Sequence, residues 1–227
     1  MLVTPSLSKI LYDVVVFAVA ITLMFQVRKP SRWLGRPFLW IMNRTHSNVT
    51  DWGLQHIQFE PSFTLLDVGC GGGRNIQKLA GLAPEGKVYG VDYATGSVAA
   101  SRAMNAPLIA SGRVIIERAS VSQLPFTAGK FDLVTAVETQ YYWPDLPQDM
   151  REILRVLKPG GTLIVINETY KNGSRNKLLN AAMKLLNSSN LGVDEHRALL
   201  VQAGYTNVQI FEENKRGWLC AVGQKPL

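Results

Sequence analysis

The sequence predicts an α/β fold built on a doubly wound parallel sheet, and three observations carry that prediction. Short, near-continuous apolar runs recur at 64–69, 87–92, 113–119, 131–138 and 162–168. Segments with helical patterning, 74–83, 96–105 and 145–157, lie between them. A glycine-rich loop, Asp67-Val68-Gly69-Cys70-Gly71-Gly72-Gly73, closes the first run and opens the first helix. Strands without an alternating polar face are buried on both sides, and parallel neighbours need crossover helices to join them.

The chain of 227 residues is 47% hydrophobic and 18% charged, enough for a full core and unlike a disordered chain. Its two cysteines, Cys70 and Cys220, cannot form a disulfide framework or a zinc motif, so a reducing cytoplasm is the expected setting. The net charge is +7, but the first fifty residues hold six cations against one acid, so the body is nearly neutral.

Taken in chain order, residues 1–30 contain the apolar run Ile10–Val27, and only Lys9 immediately precedes it. As a helix this run reaches about 27 Å, close to a bilayer's hydrocarbon thickness. Arg28, Lys29, Arg32 and Arg36 follow it, with Trp33, Phe38 and Trp40 among them. That flank predicts a membrane anchor with the following domain in the cytoplasm. No small-x-small site follows, which argues against a cleaved signal peptide. A buried helix, or one lying in the interface, is the alternative.

Residues 31–62 read as a lid over the sheet's carboxyl edge or as a linker. The main domain is expected over 63–227. Within it, Lys158-Pro159-Gly160-Gly161 should end one helix and turn into the fifth strand. Helical patterns at 175–187 and 193–203 then lead to a closing hairpin, YTNVQIFEE and GWLCAVGQ.

The loop after the first strand departs from the dinucleotide pattern Gly-x-Gly-x-x-Gly, because Arg74 stands where the third glycine belongs. Asp67 inside the motif favours a ligand carrying an ammonium group, since a carboxylate and a pyrophosphate repel. Asp92 ends the second strand, where a carboxylate accepts both hydroxyls of a ribose.

Through LLDVGCGGGRNIQKLA, KVYGVDYATGSVAASR, LPF, FDLVTAVE and LRVLKPGGTLIVINE, the chain resembles the class I S-adenosylmethionine-dependent methyltransferases. Within them it is most similar to the ubiquinone/menaquinone C-methyltransferase-like group (methyltransferase type 11). The resemblance covers roughly 60–169, about half the chain. It implies a Rossmann-like, seven-stranded sheet with an antiparallel last strand and S-adenosylmethionine as cofactor, without metal. It also implies that Gly69 and Gly71 pass close to that cofactor, that Asp67 lies near its amino-acid end, and that Asp92 binds its ribose. Tyr93 would pack on the adenine. Relatives usually carry an acid where this chain has Ser120, so the adenine contacts fall to the Ser120 hydroxyl and the Val121 N–H. A strand cap is the plain reading of Ser120.

The fourth strand ends in Glu138-Thr139-Gln140-Tyr141-Tyr142-Trp143-Pro144, where this fold class places the acceptor. Three adjacent aromatics, Tyr141, Tyr142 and Trp143, fit a flat or lipophilic acceptor, and equally fit ordinary packing. The nucleic-acid amino-methyltransferase signature Asn/Asp-Pro-Pro-aromatic is absent, so a DNA or RNA partner is not expected. Glu138, costly to bury unpaired, is a candidate base or cofactor contact. His46 is a second candidate base, with His56 beside it, and His196 reads as surface. Asn167, Glu168 and Tyr170 read as turn chemistry. The function expected is methyl transfer to a hydrophobic small molecule at carbon, oxygen or sulfur, by a membrane-associated or soluble enzyme. The rivals are a non-catalytic cofactor-binding protein and a nicotinamide-dependent oxidoreductase.

Overall fold

The computed structural model describes residues 47–171 and 189–227. The expected N-terminal helix at 10–27, His46 and the helical pattern at 175–187 lie outside those residues.

The described chain runs α1 (Ser47–Leu54), β1 (Thr64–Val68), α2 (Arg74–Leu82), β2 (Lys87–Asp92), α3 (Thr95–Met104), α4 (Ala106–Ala110), β3 (Val114–Arg118) and β4 (Phe131–Val137). A 3-10 turn (Gln140–Tyr142) follows, then α5 (Leu146–Val156), β5 (Leu157–Asn167), α6 (Val193–Ala203), β6 (Thr206–Glu213) and β7 (Trp218–Gln224). Seven strands form one sheet in the order β3-β2-β1-β4-β5-β7-β6. The pairs from β3 across to β5 are parallel, whereas β7 runs antiparallel to both β5 and β6. The expected doubly wound sheet with its antiparallel last strand is thus present.

Successive strand residues point to opposite faces, so a strand apolar at every position feeds two cores. Leu66, Val68, Val134, Ala136, Leu163 and Val165 meet Met150 and Ile153 of α5 on one face. Leu65, Leu133, Ile164 and Ile166 meet Ile76 and Leu79 of α2 and Val49 of α1 on the other. Chain order reverses at β1, between β2 and β4, and that reversal opens a crevice at their carboxyl ends.

One local expectation needs correction. The Lys158–Gly161 step lies inside β5 as an irregularity: Phe131 pairs with Leu157 and Leu133 with Thr162, so extra residues bulge from the fifth strand. Gly161 sits there because a Cβ would lie 2.9 Å from the Lys158 carbonyl oxygen. The short helix α4 was unforeseen; Pro107, a break signal in sequence, is accommodated in its first turn. Within the 31–62 segment, residues 47–54 form a helix docked on the sheet, with Val49 and Leu54 buried. Gly53 allows the approach: a Cβ there would lie 2.5 Å from Ile166 Cδ1. The same side of the fold carries Trp52, 5.9 Å from Trp218, and His56, stacked 4.0 Å from Phe211.

Candidate active site

The crevice holds a cavity of about 390 Å³ lined by the glycine loop, Asp67, Asp92, Tyr93, Ser120, Val121 and Glu138, by Tyr142 to Pro144, and by Ser47 and Thr50 of α1. The structure therefore gathers around one space residues that the sequence spreads from 47 to 144.

Its floor carries two buried carboxylates. Asp67 Oδ1 accepts hydrogen bonds from Thr135 Oγ1 at 2.7 Å and Asn75 Nδ2 at 2.8 Å. Burial pushes its carboxyl up to about 6 despite those donors, and the Asp92 charge adds to the rise. Asp92 Oδ1 accepts from Ala94 N–H at 2.8 Å and Oδ2 from Gly71 N–H at 3.0 Å; burial raises this carboxyl too. Because the Gly71 N–H already donates to Asp92, the loop does not present the free amide nest that a pyrophosphate requires. Two acids under a glycine loop instead suit a cationic ligand with a diol.

Gly69 and Gly71 prove to be glycines for different reasons. At Gly69, with φ +74°, a Cβ would lie 2.1 Å from Thr139 Oγ1, so β4's end leaves no room. At Gly71, with φ +49°, the nearest atom to a Cβ is the Gly69 carbonyl oxygen at 3.9 Å. Only Gly71 therefore turns a bare backbone toward open cavity.

Glu138 leaves β4 in the left-handed region, φ +54°, a conformation costing about 1 kcal/mol or more for a residue with a Cβ. Its Oε1 accepts from the Glu168 N–H and, at 3.4 Å, from the Tyr141 hydroxyl. Burial pushes its carboxyl up to about 8, and the neighbouring Glu168 carboxylate contributes to the rise. At neutral pH this group is largely protonated.

Several expected contacts are placed elsewhere. Tyr141 is buried and does not line the cavity; its hydroxyl donates to the Thr169 carbonyl oxygen at 2.9 Å. Tyr142 and Trp143 do line it. Ser120 lies at the wall, but its Oγ accepts the Ser122 N–H at 3.2 Å, the strand-cap arrangement. His56 is absent from the cavity wall and stacks on Phe211. His196 is buried rather than on the surface: Nδ1–H donates to the Gly192 carbonyl oxygen at 2.8 Å, and Nε2 accepts from Gln140 at 2.9 Å and Asn167 at 3.1 Å. Asn167 is correspondingly a buried partner rather than a turn residue.

The sequence reading missed Asn75, Thr135, Thr139 and Lys78. The first and last lie three apart on α2, one helical turn after the loop, and that spacing was the available signal. No sequence signal pointed to Thr135, which reaches the site from β4 by tertiary packing; Thr139 lies in the segment after β4 that the sequence marked for the acceptor, without a role of its own.

Residues 66–165 match the family model described as a methyltransferase domain. Over these residues the chain is similar to that family. A demethylmenaquinone methyltransferase from Symbiobacterium thermophilum is 35% identical over 109 residues, 48% of this chain and 43% of that one. The 27-O-demethylrifamycin SV methyltransferase of Amycolatopsis mediterranei is 37% identical over 44% of this chain and 36% of its own. The chain thus spans less than half the length of either curated relative. Among solved structures, a SAM-dependent methyltransferase from Aquifex aeolicus superposes with a TM-score of 0.64 at 19% identity, covering 78% of this chain and 89% of that one. The matched residues run from within β1 to within β5 and contain both cavity carboxylates.

Proposed function

We propose that this protein is an S-adenosylmethionine-dependent methyltransferase that acts on a lipophilic small molecule. The pair of buried carboxylates beneath the glycine loop carries the reading. Asp92 would accept the ribose hydroxyls, Asp67 would face the ammonium end, and the bare backbone at Gly71 leaves room for the ligand. Tyr93 and the Val121 N–H would flank the adenine. When bound, the cofactor supplies a methyl group on an electrophilic sulfonium.

The chain's own contribution is then alignment and exclusion of water, with proton removal where the acceptor needs it. Tyr142, Trp143 and Pro144 form the apolar wall against which a flat acceptor would lie. Glu138, at the end of β4, is the candidate base, though its raised carboxyl restricts that role to mildly alkaline pH. The relatives named for a demethylmenaquinone and a 27-O-demethylrifamycin support a quinone-like or similar small-molecule acceptor and leave carbon, oxygen and sulfur open as the acceptor atom.

Calorimetric titration with S-adenosylhomocysteine tests the cofactor assignment. The wild type should bind. Asp92→Ala should weaken binding by roughly a hundredfold, the value of two charge-assisted hydrogen bonds. A wild type that does not bind overturns the proposal. Conversion of S-adenosylmethionine to S-adenosylhomocysteine with a lipid or quinone extract separates an enzyme from a non-catalytic binder.

A further inference from the structure

Lys78 lies on the cavity wall, yet its ammonium group points at α1. Nζ donates to the Ser47 carbonyl oxygen at 3.0 Å and the Ser47 hydroxyl at 2.9 Å, and it pairs with the Asp51 carboxylate. All three acceptors belong to the first five residues of α1, and Ser47 and Thr50 of that stretch line the cavity with Lys78. The core-facing side of α1 is held by apolar packing: Val49 and Leu54 are buried, Gly53 sits against Ile166, and Trp52 lies beside Trp218. The inner side of α1, Val49 included, is thus fixed by the core, while Ser47 and Asp51 at its start are tied to α2 by the Lys78 ammonium group.

The geometry points to Lys78 as a positioning residue that latches the start of α1 over the cofactor cavity through Asp51 and Ser47, and so slows ligand release. The latch rests on the cofactor assignment above. A lysine on a cavity wall could alternatively bind the ligand's carboxylate directly, and the two roles differ in what Asp51 does. If Lys78 grips the ligand, Asp51 competes for it, and neutralising Asp51 should leave binding unchanged or tighten it. If Lys78 holds α1, removing either partner opens the same contact. The ion pair is partly exposed, with the Lys78 side chain 19% and the Asp51 side chain 57% accessible, so the latch should weaken in salt.

The test is a double-mutant cycle on the full chain, with S-adenosylhomocysteine as the probe, measuring dissociation rate and affinity for wild type, Lys78→Met, Asp51→Asn and the double variant. The latch predicts that each single variant speeds release by about fivefold, the size of a partly exposed ion pair with its hydrogen bonds. The double variant should be no faster than either single one, and 0.5 M salt should accelerate wild-type release without affecting the variants. Lys78→Arg should restore part of the wild-type rate. Faster release in Lys78→Met but not Asp51→Asn would show direct ligand contact and overturn the latch, as would unchanged rates in both. Thermal melts guard against a folding defect: a loss of stability with an unchanged release rate also counts against the latch. No binding by the wild type would instead defeat the cofactor assignment, a separable outcome.

Discussion

Under the proposed cofactor assignment, Asp67 would serve the ligand at a cost to the stability of the fold. Its carboxyl is pushed up to about 6, above the unfolded value of 3.8, so the native state binds more protons than the unfolded chain between those values. Stability should therefore fall as pH rises from about 4 through 6 and stay lowered above it. Asp67→Asn keeps the acceptor for Asn75 and Thr135 but removes the buried charge. It should raise the melting temperature of the ligand-free protein at pH 7.5 by roughly 5 °C and weaken S-adenosylhomocysteine binding at the same pH. Wild-type affinity should itself decline as pH drops below about 6, where Asp67 takes up a proton. Glu138 bears instead on turnover. If it removes a proton from the acceptor, kcat should rise with pH through about 8, and Glu138→Gln should abolish that limb while leaving cofactor binding nearly intact.

The glycine loop separates two roles that one motif conceals. Gly69→Ala places a methyl 2.1 Å from Thr139 Oγ1 at φ +74°, so it should cost stability by about 3 kcal/mol through clash and strain. Gly71→Ala meets open space and only the strain of φ +49°, so its stability cost should be about 1 kcal/mol. Its main effect should be on ligand affinity, because the added methyl enters the cavity. Denaturant melts and calorimetry on the two variants check this, and a Gly71 variant that binds normally would remove the loop from the ligand path. In the other elements, periodicity told most of the story. The five parallel strands and helices α2, α3 and α5 lie within a few residues of their expected positions, except at the start of β5, where a bulge stands in place of a turn.

At the level of the whole molecule, none of the described helices is long and apolar enough to cross a membrane. The anchor reading rests on Ile10–Val27 and its cationic flank, outside the described residues. It predicts that the full chain sediments with membranes and that deleting residues 1–30 releases it; equal partition of both forms would dismiss the anchor.

The sequence by itself determined the sheet, its crossover helices and the two acids that meet beneath the glycine loop, because each is written in a short window. Near-continuous apolar runs and period-3.6 patterns report which segments are buried, and an acid beside clustered glycines marks a strand's carboxyl end. Only the tertiary structure decided which side chains reach the cavity. Tyr141 and Tyr142 are neighbours, yet one is fastened to Thr169 and the other lines the wall. His196, flanked by Asp194 and Glu195, reads as a charged surface but is buried against Gln140 and Asn167. Gly69 is required by a threonine seventy residues away, and Lys78 is held by a helix that precedes β1. Such contacts depend on how whole elements dock, and docking is set by the summed packing of two cores rather than by any local run of residues.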